Sequence, residues 1–213
     1  MELSAVQQRV VGSLIEKELA HPDSYPLSMN ALQLACNQLT NRDPVMELDL
    51  PTLENTLHNL RSLGVVRMVT GARVDKFRHV LDDHLDLSKP EAAVVSLLLL
   101  RGPQTAAELR GRSARLHAFA GGDELDRTLQ GLAERSEPIV ELLDRQRGEK
   151  AQRWAHRLGA PEASHALVVA HTDVAHTDVG AQDGRVRELE AEVQRLREEV
   201  SSLRAELDRL TFT

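Results

Sequence analysis

The chain has 213 residues, with 33 acidic and 26 basic side chains and a formal net charge of −7. This length suits one or two domains plus an extension, and 41% hydrophobic residues can form a buried core. Only 2% of the residues are aromatic, which argues against a surface that stacks single-stranded bases on aromatic rings, and one cysteine excludes an internal disulfide.

Three helices are predicted in the first part of the chain. Ser4 suits the N-cap of a helix that ends near His21, and a second helix is expected from Ser28. Pro51 suits the first position of a third helix, which Gly64 ends. The leucines expected to face inward on the second helix are Leu32, Leu34 and Leu39.

The middle of the chain repeats this order of helices. Pro90 begins a helix that Gly102 interrupts, and Thr105 with Glu108 forms a capping box at the start of the next. Asp123 is expected to cap a third helix. We expect the repeat to reflect two copies of one small fold.

A β-hairpin is expected after each set of three helices. In the first, a β-branched strand at 65–69 is followed by a turn and partial alternation at 73–78. In the second, strands at 139–143 and 151–158 flank a tip at Arg147-Gly148. Three helices and a hairpin, twice in one chain, are typical of tandem winged helix-turn-helix domains.

The predicted fold is therefore mainly α with small β-hairpins, organised as two winged-helix domains and a C-terminal coiled-coil helix. The domains are expected at 1–86 and 87–158, a flexible linker at 159–184 and the coiled-coil helix at 185–211. No apolar run reaches the length of a membrane span and the N-terminus does not resemble a signal peptide, so we expect a cytoplasmic protein without membrane contact.

The linker contains a pentapeptide duplication, in which 170–174 is repeated as 175–179. Its two histidines and two aspartates permit a metal site, but a linker without fixed structure is the favoured interpretation. No metal and no cofactor is predicted.

The last segment carries an apolar heptad whose spacing alternates between three and four residues. Valine at three a positions with leucine at every d position favours a parallel two-stranded coiled coil. Opposite charges at successive g and e positions support pairing with a second copy of the chain, while a helix folded back on its own domains is the alternative. The predicted dimerisation residues are Val186, Leu189, Val193, Leu196, Val200, Leu203, Leu207 and Leu210.

Five segments carry a family resemblance: Tyr25-Pro26-Leu27-Ser28, Ala35-Cys36-Asn37-Gln38, Asn41-Arg42-Asp43-Pro44-Val45-Met46, Leu98-Leu99-Leu100-Arg101-Gly102-Pro103-Gln104-Thr105 and Glu108-Leu109-Arg110. With these segments the chain resembles the YceH-like family of uncharacterised bacterial proteins. The resemblance implies a tandem winged-helix fold, often with a C-terminal coiled segment. It implies no catalytic residues.

Duplex-DNA binding, with a possible regulatory role in transcription, is the leading functional hypothesis. Winged helices commonly place the third helix in the major groove and the hairpin, or wing, along the phosphates. The candidate contacts on the first third helix are Asn55, His58, Asn59 and Arg61. Those elsewhere are Arg73, Lys76, Arg110, Arg112, Arg145, Arg147, Lys150 and Arg153.

The main alternative is an adaptor that binds other proteins and makes no DNA contact. The net charge and the acidic third helix of the second domain suit this hypothesis. An enzyme is not expected, because no histidine or carboxylate set has a recognisable catalytic spacing and Cys36 is predicted to be a small core residue.

Overall fold

The computed structural model describes residues 1–71, 73–145 and 147–159. All of them belong to one compact unit, Met1–Val168. The predicted linker beyond Gly159, the duplicated pentapeptide and the heptad segment lie outside the described residues.

The first region, residues 1–86, alternates helices with short strands. Its helices are α1 (Ala5–Ala20), α2 (Met29–Cys36), α3 (Leu50–Ser62) and α4 (Leu81–Leu85), with a 3₁₀ turn at Pro22–Ser24. Its strands are β1 (Leu27–Ser28), β2 (Val66–Val69) and β3 (Lys76–His79), which form an antiparallel sheet in the order β1-β3-β2.

The second region, residues 87–158, repeats most of this order. It contains α5 (Lys89–Arg101), α6 (Ala106–Ser113), α7 (Gly122–Ala133), β4 (Val140–Leu142) and β5 (Trp154–His156). The strands β4 and β5 pair antiparallel, and an isolated bridge joins Gln104 to Trp154. This bridge occupies the place in the second region that the pairing of Leu27 with Phe77 occupies in the first.

The predicted helix caps are confirmed at most positions. Ser4 caps α1, and Thr105 forms a capping box with Glu108 at the start of α6. The prediction for Asp123 is wrong, because the cap lies two residues earlier, at Gly121, which offers no side chain. Both predicted hairpins are confirmed, whereas β1 and α4 were not expected from the sequence.

One apolar core runs through both regions. The helices α1 and α5 pack closely at Gly12, where an added Cβ would lie 2.9 Å from Cγ of Leu100 and 3.1 Å from Cβ of Leu99. A side chain larger than hydrogen at Gly12 therefore requires the two helices to separate.

Two of the leucines predicted to face inward are exposed. Leu34 is 73% exposed and Leu39 is 80% exposed, because α2 turns only Leu32, Ala35 and Cys36 toward the core and ends before residue 39. The spacing of these three buried residues is that of a single helix face. The prediction of a buried Cys36 is confirmed.

Within the part of the chain that the structure describes, no helix combines the length and the apolar character needed to cross a membrane.

Candidate nucleic-acid interface

The outer face of α3 is polar. Its inner face buries Leu53, Leu57 and Leu60 in the core, and Asp49 caps the helix by accepting a hydrogen bond of 2.9 Å from the backbone N–H of Thr52. The four predicted contact residues on this helix are all exposed, namely Asn55, His58, Asn59 and Arg61. The packing of the leucines thus leaves this set free to meet a ligand.

A surface pocket of about 470 Å³ joins the end of α3 to β2. It brings the predicted residues His58 and Arg61 together with Arg67 on the hairpin, and Ser62, Val66 and Met68 complete its lining. None of these residues is acidic. Because two guanidinium groups line it, the pocket favours an anion such as a phosphate.

The predicted residues Arg73 and Lys76 lie farther along the first hairpin. Arg73 is exposed in the turn between the strands, and Lys76 is partly buried and pairs with Val69 at the start of β3. Neither lines the pocket between α3 and β2. They extend the basic surface of the first region away from the helix.

The tip of the second hairpin forms a separate basic surface. Arg145, Arg147 and Lys150 are exposed around Gly148 and line a shallow depression of about 690 Å³. Gly148 adopts φ +96°, a left-handed conformation that glycine accommodates without strain. Glu149 lies among these cations, but its carboxylate accepts a hydrogen bond of 2.8 Å from Nε of Arg153.

Two predicted DNA contacts, Arg112 and Arg153, form ion pairs with Glu108. Nη1 of Arg153 lies 3.0 Å from Oε2 of Glu108. Nη2 of Arg112 lies 3.5 Å from Oε1 of the same carboxylate, and its Nη1 donates a hydrogen bond of 2.6 Å to Gln104. These cations link α6 to β5, so their charges are already compensated within the fold.

The pKa of Glu108 reflects this network. Partial burial alone would raise it, but hydrogen bonds from Thr105 and the positive charges of Arg153 and Arg112 outweigh burial. The pKa therefore lies below its ordinary value and the carboxylate stays ionised at neutral pH.

The exposed face of α7 is acidic. Asp123 and Asp126 are exposed on α7 together with Arg127, and the exposed Glu134 follows its last residue. Glu124 accepts a hydrogen bond of 2.6 Å from the backbone N–H of Ala120 and lies 3.0 Å from Nε2 of His117. The predicted contact Arg110 is exposed, and its guanidinium lies beside Gly122 at the start of this helix. The equivalent of α3 in the second region therefore presents negative charge.

Two arginines buried in the first region were not predicted from the sequence. The side chain of Arg42 is fully buried, lies 2.6 Å from Oε2 of Glu16 and donates to the carbonyl oxygen of Ala35. Arg9 donates to the carbonyl oxygens of Cys36 (3.0 Å) and Pro44. Together they fix the long connection between α2 and α3. In the sequence, Arg9 directly precedes the apolar pair Val10 and Val11, and this position could have indicated that it is buried.

The thiol of Cys36 lies beside this network and is unsuited to nucleophilic chemistry. Burial raises its pKa to about 11, although the neighbouring Ser13 hydroxyl and the charges of Arg42 and Arg9 oppose the shift. The thiol is therefore protonated at neutral pH.

Comparison with known proteins places the chain in a family. The family model described as "Protein of unknown function, DUF480" matches residues 3–149. The chain belongs to this family. The DUF480 match covers both regions described above except for the last strand, so the predicted membership in an uncharacterised bacterial family is confirmed.

Relatives of this DUF480 chain are similar over most of their length. A UPF0502 protein of Pelobacter propionicus is 45% identical over 212 residues, covering 98% of this chain and 96% of the relative. A UPF0502 protein of Geobacter metallireducens is 46% identical over 193 residues, covering 90% and 88%. One from Azotobacter vinelandii is 44% identical over 188 residues, covering 88% and 83%.

Proposed function

We propose that the chain is a non-enzymatic cytoplasmic protein that binds duplex DNA through two tandem winged helix-turn-helix domains, residues 1–86 and 87–158. The repeated order of helices and hairpin supports this assignment. Strand pairing supports it too. In the first region β1, just before α2, pairs with the return strand β3, and in the second region Gln104, just before α6, bridges to Trp154 on the return strand β5.

The observation that carries the proposal is the pocket between α3 and β2. His58 and Arg61 on the helix and Arg67 on the hairpin line one surface without an acidic neighbour in the lining. In the proposed complex α3 enters the major groove and this pocket holds a backbone phosphate beside it. Asn55 and Asn59, exposed on the same helix, are then the candidates for base contacts.

The second region is proposed to contact phosphates through its hairpin rather than through a helix. Arg145, Arg147 and Lys150 are exposed at the hairpin tip, while Asp123 and Asp126 on α7 repel phosphate. Binding through one helix and two hairpins gives more contacts with the DNA backbone than with base edges. We therefore expect affinity to depend strongly on salt and weakly on sequence.

The heptad at 185–211 is proposed to join two copies of the chain in a parallel coiled coil. Pairing two copies raises the effective concentration of the second pair of domains once the first is bound. Sedimentation of the full chain tests this point, with a dimer expected. A monomer at micromolar concentration would remove the dimer from the proposal without removing DNA binding.

Fluorescence anisotropy of the full chain with a labelled mixed-sequence duplex tests the main proposal. If the complex makes about six phosphate contacts, affinity is expected to fall roughly 10³-fold between 50 and 200 mM salt. No binding at 50 mM salt would overturn the proposal.

A charge-reversal variant locates the contact. Replacing Arg145, Arg147 and Lys150 with glutamate is expected to weaken binding by at least about tenfold, because three phosphate contacts are lost. The matched control carries the same charge change at three exposed cations away from the hairpin tip and from α7, namely Lys89, Arg115 and Arg157. Equal losses in both variants would mean that only net charge matters and would contradict a specific role for the hairpin.

The adaptor function is the second candidate, and the exposed leucines Leu34 and Leu39 favour it. Exposed apolar side chains that form a contiguous patch mark contact surfaces, and the adaptor function proposes that these two leucines belong to one. Affinity capture from bacterial lysate with wild type and with a Leu34→Ser, Leu39→Ser variant tests it. Recovery of the bait alone from both would count against the adaptor function.

A further inference from the structure

His79 is a buried polar side chain at the end of the first hairpin. It is the last residue of β3, pairs with Val66 on β2, and has only 2% of its side chain exposed. Here the end of the strand meets the C-terminal half of α1 and the first turn of α4. A polar ring in such a place needs partners for its two nitrogens.

The polar side chains against the ring are two carboxylates. Nε2 contacts the carboxylate of Glu18, and Nδ1 lies 3.4 Å from Oδ1 of Asp82. Neither contact is aligned as a hydrogen bond, so both nitrogens lack a hydrogen-bond partner among the described residues. Both ring nitrogens therefore face carboxylate oxygens without an aligned hydrogen bond to either.

The surrounding groups do not relieve this arrangement. The hydroxyl oxygen of Tyr25 accepts a hydrogen bond of 2.7 Å from the backbone N–H of His79, which leaves the ring nitrogens unaffected. Arg78 pairs with Asp83 at 3.6 Å rather than with Glu18 or Asp82. Burial, assisted by the negative charge of Glu18, raises the pKa of Tyr25, so the phenol stays protonated.

We propose that Glu18, His79 and Asp82 form a binding site for a divalent transition-metal cation such as Zn²⁺. One nitrogen of His79 and one oxygen of each carboxylate lie within 4.8 Å of one another. Ligands of one zinc ion lie about 2.0–2.2 Å from it. The two carboxylates face different nitrogens of His79, so at least one of them must turn toward the other for a single ion to bind all three residues. A nitrogen ligand together with two carboxylates favours zinc over magnesium or calcium.

The carboxylates are accessible while the imidazole is fixed. The side chains of Glu18 and Asp82 are 37% and 41% exposed, which gives an ion a route from solvent and leaves room for a water ligand. The bound ion links α1, the end of β3 and α4 and stabilises the base of the hairpin. These ligands come from separate elements and form no recognisable spacing motif, so no metal was predicted from the sequence.

The second region contains a matched histidine without this environment. His156 ends β5 opposite Val140, as His79 ends β3 opposite Val66, and it is also buried. Its Nδ1 accepts a hydrogen bond of 3.3 Å from the backbone N–H of Leu158. Among the described residues, the group of potential ligands with metal-like spacing contains His79 and not His156. His156 is therefore the internal control for the proposed site.

Equilibrium dialysis of the chelator-treated full chain against zinc chloride tests the proposal. One equivalent of zinc is expected in wild type, and it is lost in His79→Gln. It is retained in His156→Gln and in a variant with His171 and His176 both replaced by glutamine, which removes both histidines of the duplicated pentapeptide. Glu18→Gln and Asp82→Asn are expected to weaken zinc binding at least tenfold.

The two carboxylate variants test the site even if His79→Gln does not fold. Glu18 and Asp82 are half-exposed, and zinc is expected to raise the Tm of wild type but not that of the Glu18→Gln, Asp82→Asn double variant. Absence of bound zinc at 100 µM, or equal binding by wild type and the double variant, would overturn the site. These measurements contain no DNA, so their outcome is independent of whether the chain binds DNA.

Discussion

The two regions share an order of elements but differ in the charge of their third helices. α3 presents Asn55, His58, Asn59 and Arg61. α7 presents Asp123 and Asp126 with one cation, Arg127, and Glu134 follows its end. Both helices bury three leucines in the core, so their packing is alike while their outer faces differ. The apolar positions thus determine the fold, and the exposed positions determine which elements are proposed to contact DNA. These are the helix and the hairpin in the first region and the hairpin alone in the second.

The buried histidines show the same division at the ends of the hairpins. His79 lies against two carboxylates, while His156 is surrounded by the core and held by one backbone N–H. Burial lowers the pKa of His156 to about 4, so it is neutral at physiological pH. Equivalent positions in a repeated fold therefore acquire different chemistry from the elements packed against them.

The largest expected effect is on the buried arginine of the first region. Arg42→Met leaves Glu16 without its partner and the connection between α2 and α3 without its hydrogen bonds. We expect a loss of about 3–5 kcal/mol in the free energy of unfolding, measured with urea. Arg112→Met, at the half-exposed network of the second region, is expected to cost about 1 kcal/mol or less. Equal losses would contradict this contrast.

His156 predicts a dependence of stability on pH. Its pKa is about 4 in the folded state and ordinarily 6.5, so the unfolded chain binds its proton first as the pH falls. Stability present above pH 6.5 is lost between 6.5 and 4, by up to about 3 kcal/mol. Urea unfolding at pH 7.5 and 4.5 should show a smaller loss in His156→Gln than in wild type. His117→Gln serves as the control, and the same pH dependence in all three proteins would refute the assignment.

Neutralising the acidic face of α7 is expected to strengthen DNA binding. Asp123→Asn with Asp126→Asn removes repulsion of phosphate, and we expect a gain of roughly three- to tenfold in affinity at 50 mM salt. Glu2→Gln with Asp23→Asn changes the net charge equally at exposed positions elsewhere. Should both pairs give the same gain, α7 does not lie near the DNA.

The smallest expected effect concerns the caps of the third helices. Asp49 caps α3, whereas Gly121 gives α7 no side-chain cap, and a Cβ added at Gly121 meets no atom within 4 Å. Gly121→Ser is therefore expected to stabilise the chain by a few tenths of a kcal/mol, measured by thermal unfolding. Destabilisation would show that the extended backbone at this position requires glycine for another reason.

The sequence alone predicted the helices and strands that are marked by local capping and turn residues. Ser4, Thr105 and the hairpin turns predicted the starts of helices and the positions of strands, because capping and turn chemistry act over three or four residues. Leu34 was placed wrongly because the short α2 has several apolar faces, and only tertiary packing selects one.

The charged residues were harder to assign than the helices. Arg112 and Arg153 are residue types that commonly contact DNA phosphates. Both pair with Glu108, and Arg153 meets it across elements that are distant in sequence. Arg42 and His79 gained their partners in the same way. Pairing between residues that are distant in sequence produces no periodic pattern in the sequence. The sequence could therefore give only a set of candidate DNA-contacting residues, without showing which of them are paired within the fold.

The salt dependence of DNA binding tests the central claim most directly. The logarithm of the association constant should fall linearly with the logarithm of salt concentration, with a slope of about −0.9 for each phosphate neutralised. Replacing Arg145, Arg147 and Lys150 with glutamine should make this slope shallower by about 3. A duplex bound with the same slope by wild type and variant, or not bound at all at low salt, would contradict the account.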